Sequence, residues 1–372
     1  MVIKKGIKLF IMYRCILIIF LFWITGCRKI SEDFEPLEDA IEYSADKQKN
    51  NPQPLNDIKL MSWNIRFGIG RSDWFGDACG LNTIFDKNIV DSTLNLITEK
   101  INKENPDILM VQECDVNSKR TSYTQEINFI LNKTQFNYAY YGPVWQSQFI
   151  PSHGLGKMDM GIVIFSKWKL ENVKRISLPL RSDQSAAEKY FYLRYCMLKA
   201  ELNIEGFKSV ALFNVHSVAF SSDDTKKRQY DFIKNEFDKI KSDGGYFACG
   251  GDFNTLPTNS IKKDYCVEDM CEGENFHDTE NKHKEGSNYL GEDDGFNQLF
   301  YNYNSSLSSE KYSQNESVYF THTTRHPNNK PDRRLDYFFT NYQWIQSTDT
   351  TYQDAIKFSD HAAISVKLKL PK

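Results

Sequence analysis

From about residue 58 onward the chain alternates short apolar runs with segments of helical periodicity. Two segments carry apolar residues at a spacing of three or four, one across residues 90–101 and one across residues 230–240, and both predict amphipathic helices. The Asn105-Pro106 pair ends the first helix. Short apolar runs of strand length are found at residues 59–63, 107–112, 160–166, 194–202, 210–216, 246–250, 335–340 and 363–368.

The order of these elements predicts the class of fold. Strands outnumber helices, and several strands follow one another with no helix between them. This order excludes a simple doubly wound sheet and favours an α/β sandwich of mixed sheets covered by helices. Residues 264–318 are polar and rich in turn formers, and we expect them to form a long solvated insertion at the rim.

The N-terminal segment has the pattern of a secretion signal. Four basic residues precede a nine-residue apolar run at 16–24, which is too short to cross a bilayer as a helix. Thr25-Gly26-Cys27 follows and resembles a bacterial lipobox, although a plain signal peptide would share the first two features. We therefore expect a lipoprotein signal peptide at 1–26, a lipid on Cys27, an acidic tether at 27–55 and one folded domain at 56–372. The mature protein would then be a membrane-anchored lipoprotein, periplasmic or on the cell surface.

Composition narrows the classes of function. The chain has 46 basic and 49 acidic residues, a net charge of -3, and the leader contributes four of the basic residues and no acid. Proteins that bind nucleic acid through non-specific phosphate contacts are normally basic, so a nucleic-acid substrate would need a local binding site. Cys114, Cys196 and Cys249 lie in apolar runs and are predicted to be core residues. Whether Cys266 pairs with Cys271 stays open.

Polar side chains follow or flank most of the predicted strands. Because ligands of α/β folds bind at strand ends, these side chains could meet in one crevice. Acidic and amide oxygens among them suit Mg²⁺ or Mn²⁺, and the histidines could donate to phosphoryl oxygens. A Walker loop and a Gly-x-Ser-x-Gly elbow are both missing from the sequence. The residues are Asn64, Glu113, His216, Asp252, Asn254, Asp336, Asp360 and His361.

Six short motifs occur in one order along residues 58–370 and resemble the endonuclease/exonuclease/phosphatase superfamily. The motifs are Ser62-Trp63-Asn64-Ile65-Arg66, Val111-Gln112-Glu113, Asn214-Val215-His216, Gly251-Asp252-Phe253-Asn254, Arg334-Leu335-Asp336-Tyr337 and Ser359-Asp360-His361. The resemblance implies a four-layer α/β sandwich with two central sheets flanked by helices. It also implies metal-dependent hydrolysis of a phosphoester by in-line attack of water.

The same resemblance implies a role for each motif residue. Glu113 is expected to be the main metal ligand, with Asn64 and Asp360 beside it. Asp252 aligns or deprotonates the water, and His361 stabilises the transition state or transfers a proton; which of the two is the base stays open. The remaining expected roles are phosphoryl binding by His216 and Asn254 and orientation of His361 by Asp336.

The substrate is not determined by these motifs. Arg120, Arg194 and Arg334 are candidates for binding an anionic substrate, with surface ion pairs as the alternative. The substrate could be a nucleic acid, a phospholipid head group or a sugar or inositol phosphate, and no obligate protein partner is evident. Trp74-Phe75, Trp145 and Phe149 could approach a substrate or a bilayer, although burial is their default. The alternative function is a catalytically silent surface binding protein that retains the fold.

Overall fold

The computed structural model describes residues 29–54, 56–77, 80–219, 221, 223–265, 269, 289, 292–324 and 330–372. The predicted signal peptide, the predicted lipidation site Cys27 and the pair Cys266 and Cys271 lie outside these residues. Within the described ranges, no helix is both long enough and apolar enough to cross a bilayer.

Two mixed β-sheets form the centre of the described fold, and each has seven strands. The first sheet has the order β1-β7-β8-β9-β10-β12-β11 and the second β13-β14-β3-β4-β6-β5-β2. Strands β9 and β10 run parallel, as do β3 and β4, while the other neighbours are antiparallel. The strands are β1 Leu37–Asp39, β2 Ile41–Ser44, β3 Asp57–Asn64, β4 Ile108–Asp115, β5 Tyr138–Ile150, β6 Gly156–Ser166, β7 Glu171–Ser177, β8 Cys196–Leu202, β9 Val210–His216, β10 Tyr246–Asp252, β11 Asn304–Ser305, β12 Asp336–Thr340, β13 Thr350–Tyr352 and β14 Ala363–Lys369.

Helices cover the outer faces of both sheets, which gives the expected α/β sandwich of four layers. The α-helices are α1 Lys87–Glu104, α2 Glu126–Lys133, α3 Ala186–Phe191, α4 Thr225–Ser242, α5 Asp293–Asn302 and α6 Ser309–Gln314. The two amphipathic helices predicted from periodicity are α1 and α4, and the eight predicted strands are all present. The asparagine that ends α1, Asn105, adopts a left-handed conformation with φ 47°, and proline follows it.

Side chains that alternate along the strands divide the core into two. Leu60 and Met110 point between the sheets, where they meet Leu198 and Leu212 of the first sheet. Residues one step along, such as Val111, point outward and pack under α1 and α2. This period of two is why a strand pattern read from sequence also predicts which side of the sheet each residue occupies. The core also contains Cys114, Cys196 and Cys249, which are buried free thiols as predicted.

The segment predicted to be a tether belongs in part to the folded body. Strand β1 pairs with β7 at one edge of the first sheet, and β2 pairs with β5 at one edge of the second. Strands β1 and β2 are therefore edge strands, one in each sheet, and the folded domain begins before residue 56. These edge strands have only three and four residues, so their pairing depends on long-range contacts more than on local pattern.

The polar insertion also differs from the solvated loop expected at 264–318. Its described part contains α5 and α6, and Phe296, Leu299 and Tyr303 are buried against the first sheet. Phe296 contacts the ring of Tyr230 on α4, with the ring centroids 5.1 Å apart. The second half of the insertion is therefore a packed element of the outer layer.

Two motif residues connect the sheets and do not reach the solvent. The amide of Gln112 donates to Oδ1 of Asn214 at 2.6 Å, and both side chains are fully buried. Asn214 in turn donates to the carbonyl oxygens of Val111 and Val163. This hydrogen-bonded link fixes the two sheets to each other directly beneath the ends of β4 and β9, where the candidate site is found.

Candidate active site

Strand register brings the predicted site residues to one end of both sheets. In the first sheet, Asp252 at the end of β10 lies beside His216 on β9 and beside Asp336 on β12. In the second sheet, Asn64 ends β3 beside Gln112 of β4. The C-terminal ends of the parallel pairs and the N-terminal end of β12 thus meet at one crevice, as the rule for strand ends predicts. Gly251 permits this arrangement, because a Cβ there would lie 2.0 Å from the carbonyl oxygen of Val215.

Glu113 leaves the regular strand at a β-bulge. The pairing of β4 with β6 changes register between Val111 and Cys114, and Glu113 has a φ of 55°. A left-handed conformation is uncommon for a residue with a side chain, and bulges often redirect a side chain beside an active site. The bulge aims the carboxylate of Glu113 into the crevice, where Nε2 of His216 lies 3.9 Å from it.

The amide of Asn64 bridges two carboxylates. Its Nδ2 donates to Oε1 of Glu113 and to Oδ2 of Asp252, both at 3.1 Å. Its side-chain oxygen accepts from the backbone N–H of Arg66 at 3.0 Å. In this arrangement Asn64 positions the two acids through its nitrogen, and its oxygen, the predicted metal ligand, is engaged with the backbone.

Two buried histidines lie on either side of Asp252. Oδ2 of Asp252 is 3.7 Å from Nε2 of His216 and 3.5 Å from Nε2 of His361. Burial lowers the pKa of His216 and favours its neutral form. For His361, burial alone would also lower the pKa, but the carboxylates of Asp336 and Asp252 outweigh it and raise the pKa to about 10. The first histidine is therefore neutral at pH 7 and the second a cation.

The three carboxyl groups of the crevice also differ from one another in pKa. Burial raises the pKa of Asp252 to about 6, although His361 and Asn64 favour its ionised form. Burial and the charge of Asp360 raise the pKa of Glu113. For Asp360, burial would raise the pKa, but Arg66 and His361 outweigh it and lower the pKa. Burial of several acids in one crevice is a structural reason for a dication to bind there.

Asn254 and Ser359 complete the crevice through backbone contacts. The N–H of Asn254 donates to Oδ1 of Asp252 at 2.9 Å, and its side-chain amide donates to the carbonyl of Ser217 at 3.0 Å. Asn254 has a φ of 51°, so its amide is held in a turn directly after β10. Ser359 donates to the carbonyl of Asn64 at 2.7 Å and fixes the loop that carries Asp360.

The predicted metal-binding residues fit a hard dication. Glu113 and Asp360 provide anionic oxygens, and Mg²⁺ and Mn²⁺ prefer oxygen ligands. Two other groups, His322 with Asp360 and His361, and Asp252 with Asp336 and His361, have donor atoms within 4.8 Å of one another. We favour the oxygen-rich set, because both of these groups include His361, whose raised pKa keeps it protonated and without a free lone pair for a metal.

The crevice opens into a cavity of about 830 Å³ with two unlike ends. One end holds the acids and histidines described above. The other end is lined by aromatic and aliphatic side chains from the β5–β6 hairpin, helix α3 and the loop after β3. These side chains include Phe75, Trp145, Ile150, Leu155 and Phe191.

The three predicted substrate-binding arginines have other partners. Arg120 lines the cavity, but it is buried, forms two hydrogen bonds with Asp115 at 2.9 Å and stacks over Phe67. Arg194 pairs with Asp33 of the N-terminal segment at 3.2 Å. Arg334 is buried behind the site and donates to the carbonyl of Tyr319. Sequence alone does not show these pairings, because each partner is set by packing.

Two residues at the site were given no role by the motifs. Arg66 forms ion pairs with Asp77 and with Asp360, the latter at 3.4 Å. The ring of His322 lies 4.4 Å from the ring of His361, and burial lowers its pKa well below the ordinary value. Arg66 was visible within its motif, whereas His322 lies outside all six motifs.

The arrangement matches known proteins at the level of family and fold. The sequence profile of the Endonuclease/Exonuclease/phosphatase family matches residues 61–361. No curated protein is similar enough to this chain in sequence to count as a match.

Solved structures with the same fold come from several bacteria. An endonuclease/exonuclease/phosphatase from Beutenbergia cavernae superposes with a TM-score of 0.54 at 16% identity, covering 85% of this chain and 72% of that one. A family protein from Leptotrichia buccalis gives 0.51 at 14% identity, covering 85% and 100%. A conserved protein of unknown function from Enterococcus faecalis gives 0.51 at 12% identity, covering 84% and 100%. These likenesses establish the fold.

Proposed function

This chain belongs to the endonuclease/exonuclease/phosphatase family, and from that premise we propose that it is a divalent-metal-dependent hydrolase of a phosphodiester or phosphomonoester. The observation that carries the proposal is the convergence of Glu113, Asp252, Asp336 and His361 at one crevice. These residues are separated by up to 248 positions in sequence. Asn64 hydrogen-bonds both Glu113 and Asp252, and His361 lies within 4 Å of both Asp252 and Asp336. A binding protein that had lost catalysis would have no need of this charge arrangement.

Each side chain has a place in hydrolysis by direct attack of water. Glu113 and Asp360 would hold Mg²⁺ or Mn²⁺, which supplies positive charge to the phosphoryl group when bound. The carboxylate of Asp252 lies between the two histidines and can align a water or accept its proton. The imidazolium of His361 can donate to charge that develops on a phosphoryl oxygen.

The remaining groups hold this arrangement in place. Asp336 fixes the ring of His361 through Nδ1 and leaves Nε2 directed at Asp252 and the cavity. Asn254 retains a second amide N–H that can donate to a phosphoryl oxygen. The same environment favours Asp252 as the base, because His361 is held as a cation that has no lone pair to accept a proton.

The cavity favours a substrate with few phosphates. Four arginines line it, and all four are paired with a carboxylate among the described residues. The cavity has seven carboxylates among its lining residues, so its fixed charge is acidic before any cation binds. A polyphosphate or a nucleic-acid backbone would be repelled, whereas a single phosphoester beside an apolar group suits both ends of the cavity. The pairs are Arg66 with Asp77, Arg120 with Asp115, Arg181 with Asp183 and Arg333 with Asp269.

The proposal includes attachment to a membrane outside the cytoplasm through a lipid on Cys27. It is supported by the basic leader, the apolar run and the Gly26-Cys27 pair, which occur in the order of a lipoprotein signal. One acyl chain gives weak membrane binding, and several together give stable anchoring. Replacing Cys27 with alanine and fractionating the cells tests this part: the protein should leave the detergent phase.

The test of catalysis is hydrolysis of bis(4-nitrophenyl) phosphate with Mg²⁺, with Mn²⁺ and with a chelator. We expect turnover only with a dication, and a loss on the order of 10²–10³ in rate for His361→Ala. Tyr301→Ala, an exposed position on α5, serves as the surface control and should keep the full rate. If no phosphodiester or phosphomonoester is hydrolysed with either metal, the proposal is wrong and a silent binding protein becomes the better account.

A further inference from the structure

The N-terminal segment is fixed to the wall of the active-site cavity. The carbonyl of Ile30 accepts from the N–H of Gln148 at 2.7 Å, and Oγ of Ser31 donates to Oγ of Ser147 at 2.9 Å. The hydroxyl of Tyr190 on α3 accepts from the N–H of Ile30 at 3.1 Å. The chain thus joins the body on the outside of the β5–β6 hairpin and of α3, whose inner sides line the apolar end of the cavity.

Exposed apolar side chains surround this point, and we call Ile30, Leu81, Ile84 and Phe149 the apolar rim. Their exposed fractions are 44%, 90%, 44% and 57%. Twelve large apolar side chains are exposed among the described residues, and these four lie on loops that contact one another.

Contacts between loops connect the apolar rim around the cavity mouth. Phe149 follows Gln148, which is bonded to Ile30, and the hairpin tip carries His153, whose ring stacks on Phe75 at 4.5 Å. Phe75 donates its N–H to the carbonyl of Asn82, the neighbour of Leu81. His153 and Phe75 both line the cavity, so two of the loops that carry the rim also form part of the cavity wall.

The charge of this surface differs from that of the whole chain. The hairpin from residue 148 to residue 157 contains one lysine and no acidic residue, and residues 80–85 contain no charge at all. The chain as a whole carries more acidic than basic residues. Two of the three rim loops therefore carry no acidic side chain, whereas the segment that carries Ile30 has Lys29, Glu32 and Asp33. Apolar loops without acidic groups suit the interface of a phospholipid bilayer.

We propose that the apolar rim rests on the lipid bilayer into which the acyl chains on Cys27 insert, so that the cavity opens toward the membrane surface. The inference rests on the proposed lipid anchor. Three residue steps separate Cys27 from Ile30 and can span at most about 11 Å. The attachment of residues 30 and 31 to the hairpin therefore leaves no long tether, and the hairpin must lie near the head groups. A phosphoester head group in the same leaflet is then the nearest substrate to the cavity.

The experiment measures whether the rim enters lipid. Full-length acylated protein carrying Phe149→Trp is reconstituted into vesicles of phosphatidylethanolamine and phosphatidylglycerol that contain brominated acyl chains. Phe149 does not line the cavity, so the variant should hydrolyse bis(4-nitrophenyl) phosphate at the rate of the unmodified protein. Tyr301→Trp, 82% exposed on α5, is the matched control.

After subtraction of the signal from the protein's own tryptophans, measured in the unmodified protein, we expect the added tryptophan at 149 to be quenched by the brominated lipid at least twofold more than the one at 301. Equal quenching at both positions, or none at 149 in vesicle-bound protein, overturns the inference while leaving hydrolysis untouched. A blue shift at 149 that depends on protein concentration and not on lipid assigns the rim to a second copy of the chain and also overturns it. If the unmodified protein does not hydrolyse bis(4-nitrophenyl) phosphate, that result contradicts the proposed catalysis and leaves the membrane contact untouched.

Discussion

Nδ1 of His361 lies 2.9 Å from a carboxylate oxygen of Asp336, and both side chains are almost entirely buried. Asp336 begins β12 of the first sheet, and His361 lies two residues before β14 of the second sheet. Their contact therefore couples the orientation of the histidine to the packing of the two sheets. It also makes the protonation of His361 depend on a residue that does not line the cavity.

Replacing Asp336 with asparagine should move the alkaline limit of activity. Burial already disfavours the cation of His361, so loss of the Asp336 carboxylate lowers its pKa from about 10, and the imidazolium is lost at lower pH. We expect kcat to fall by about 10²-fold at pH 8 and the fall to be smaller at pH 6. A pH profile of kcat for both proteins measures this, and an unshifted alkaline limb would contradict it.

The acid limb of the same profile should report Asp252. Its pKa of about 6 means that the carboxylate is protonated as the pH falls through that value, and a protonated acid cannot accept a proton from water. We expect kcat/KM to decline below pH 6. A bound dication stabilises the carboxylate of Asp252, so the decline should begin at a lower pH when the metal is present. Asp252→Asn should remove the limb together with most of the activity. If the remaining activity of Asp252→Asn shows the same acid limb, the limb reports the titration of another group.

Glu113→Gln should separate metal binding from folding. The glutamine keeps the size of the side chain but removes the negative charge, so the affinity for Mn²⁺ should fall by at least about tenfold. Melting curves with and without Mn²⁺ measure this, because a ligand that binds only the folded state raises the melting temperature. Glu205→Gln, at an exposed position, is the control and should keep the full Mn²⁺-dependent rise.

Arginine variants test the pairings that the structure assigns. Arg120→Met should destabilise the fold by about 3–5 kcal/mol, because it leaves the carboxylate of Asp115 buried without its partner. Arg194→Ala should leave KM for bis(4-nitrophenyl) phosphate unchanged, since Arg194 contacts the N-terminal segment and not the cavity. Urea unfolding and initial rates measure the two effects. A large rise in KM for Arg194→Ala with normal stability would restore its predicted role in substrate binding.

Glu126 should make the protein less stable as the pH rises. Burial and the charge of Asp115 raise the pKa of Glu126 well above its ordinary value of 4.5. Between the two pKa values the folded state holds a proton that the unfolded state releases, so stability falls by about 1.4 kcal/mol for each pH unit.

Glu126→Gln removes this penalty and should be more stable than the unmodified protein at pH 8. The gain should shrink toward pH 4, where the glutamate is protonated in both states. Urea unfolding at several pH values measures it, with Glu205→Gln as the exposed control. A constant difference across pH would mean that the substitution acts through packing.

The sequence by itself determined the core strands, the two long helices and most of the site. These features depend on local spacing, because a period of two or 3.6 decides which side of a strand or helix is buried. The ends of the strands then carry Asn64, His216, Asp252 and Asp336 to one edge once parallel neighbours are in register. Motif order added the expected roles, which the experiments above test.

Only the tertiary structure decided the rest, because it depends on which distant segments meet. The acidic segment at 37–44 became two edge strands by pairing with β7 and β5. Arg120, Arg194 and Arg334 have partners that only packing sets, and their predicted role in substrate binding stays a prediction. His322 came to lie against His361 through a contact 39 positions apart in sequence. Such contacts are fixed by packing and by desolvation of charge, and neither quantity is encoded in the spacing of residues along the chain.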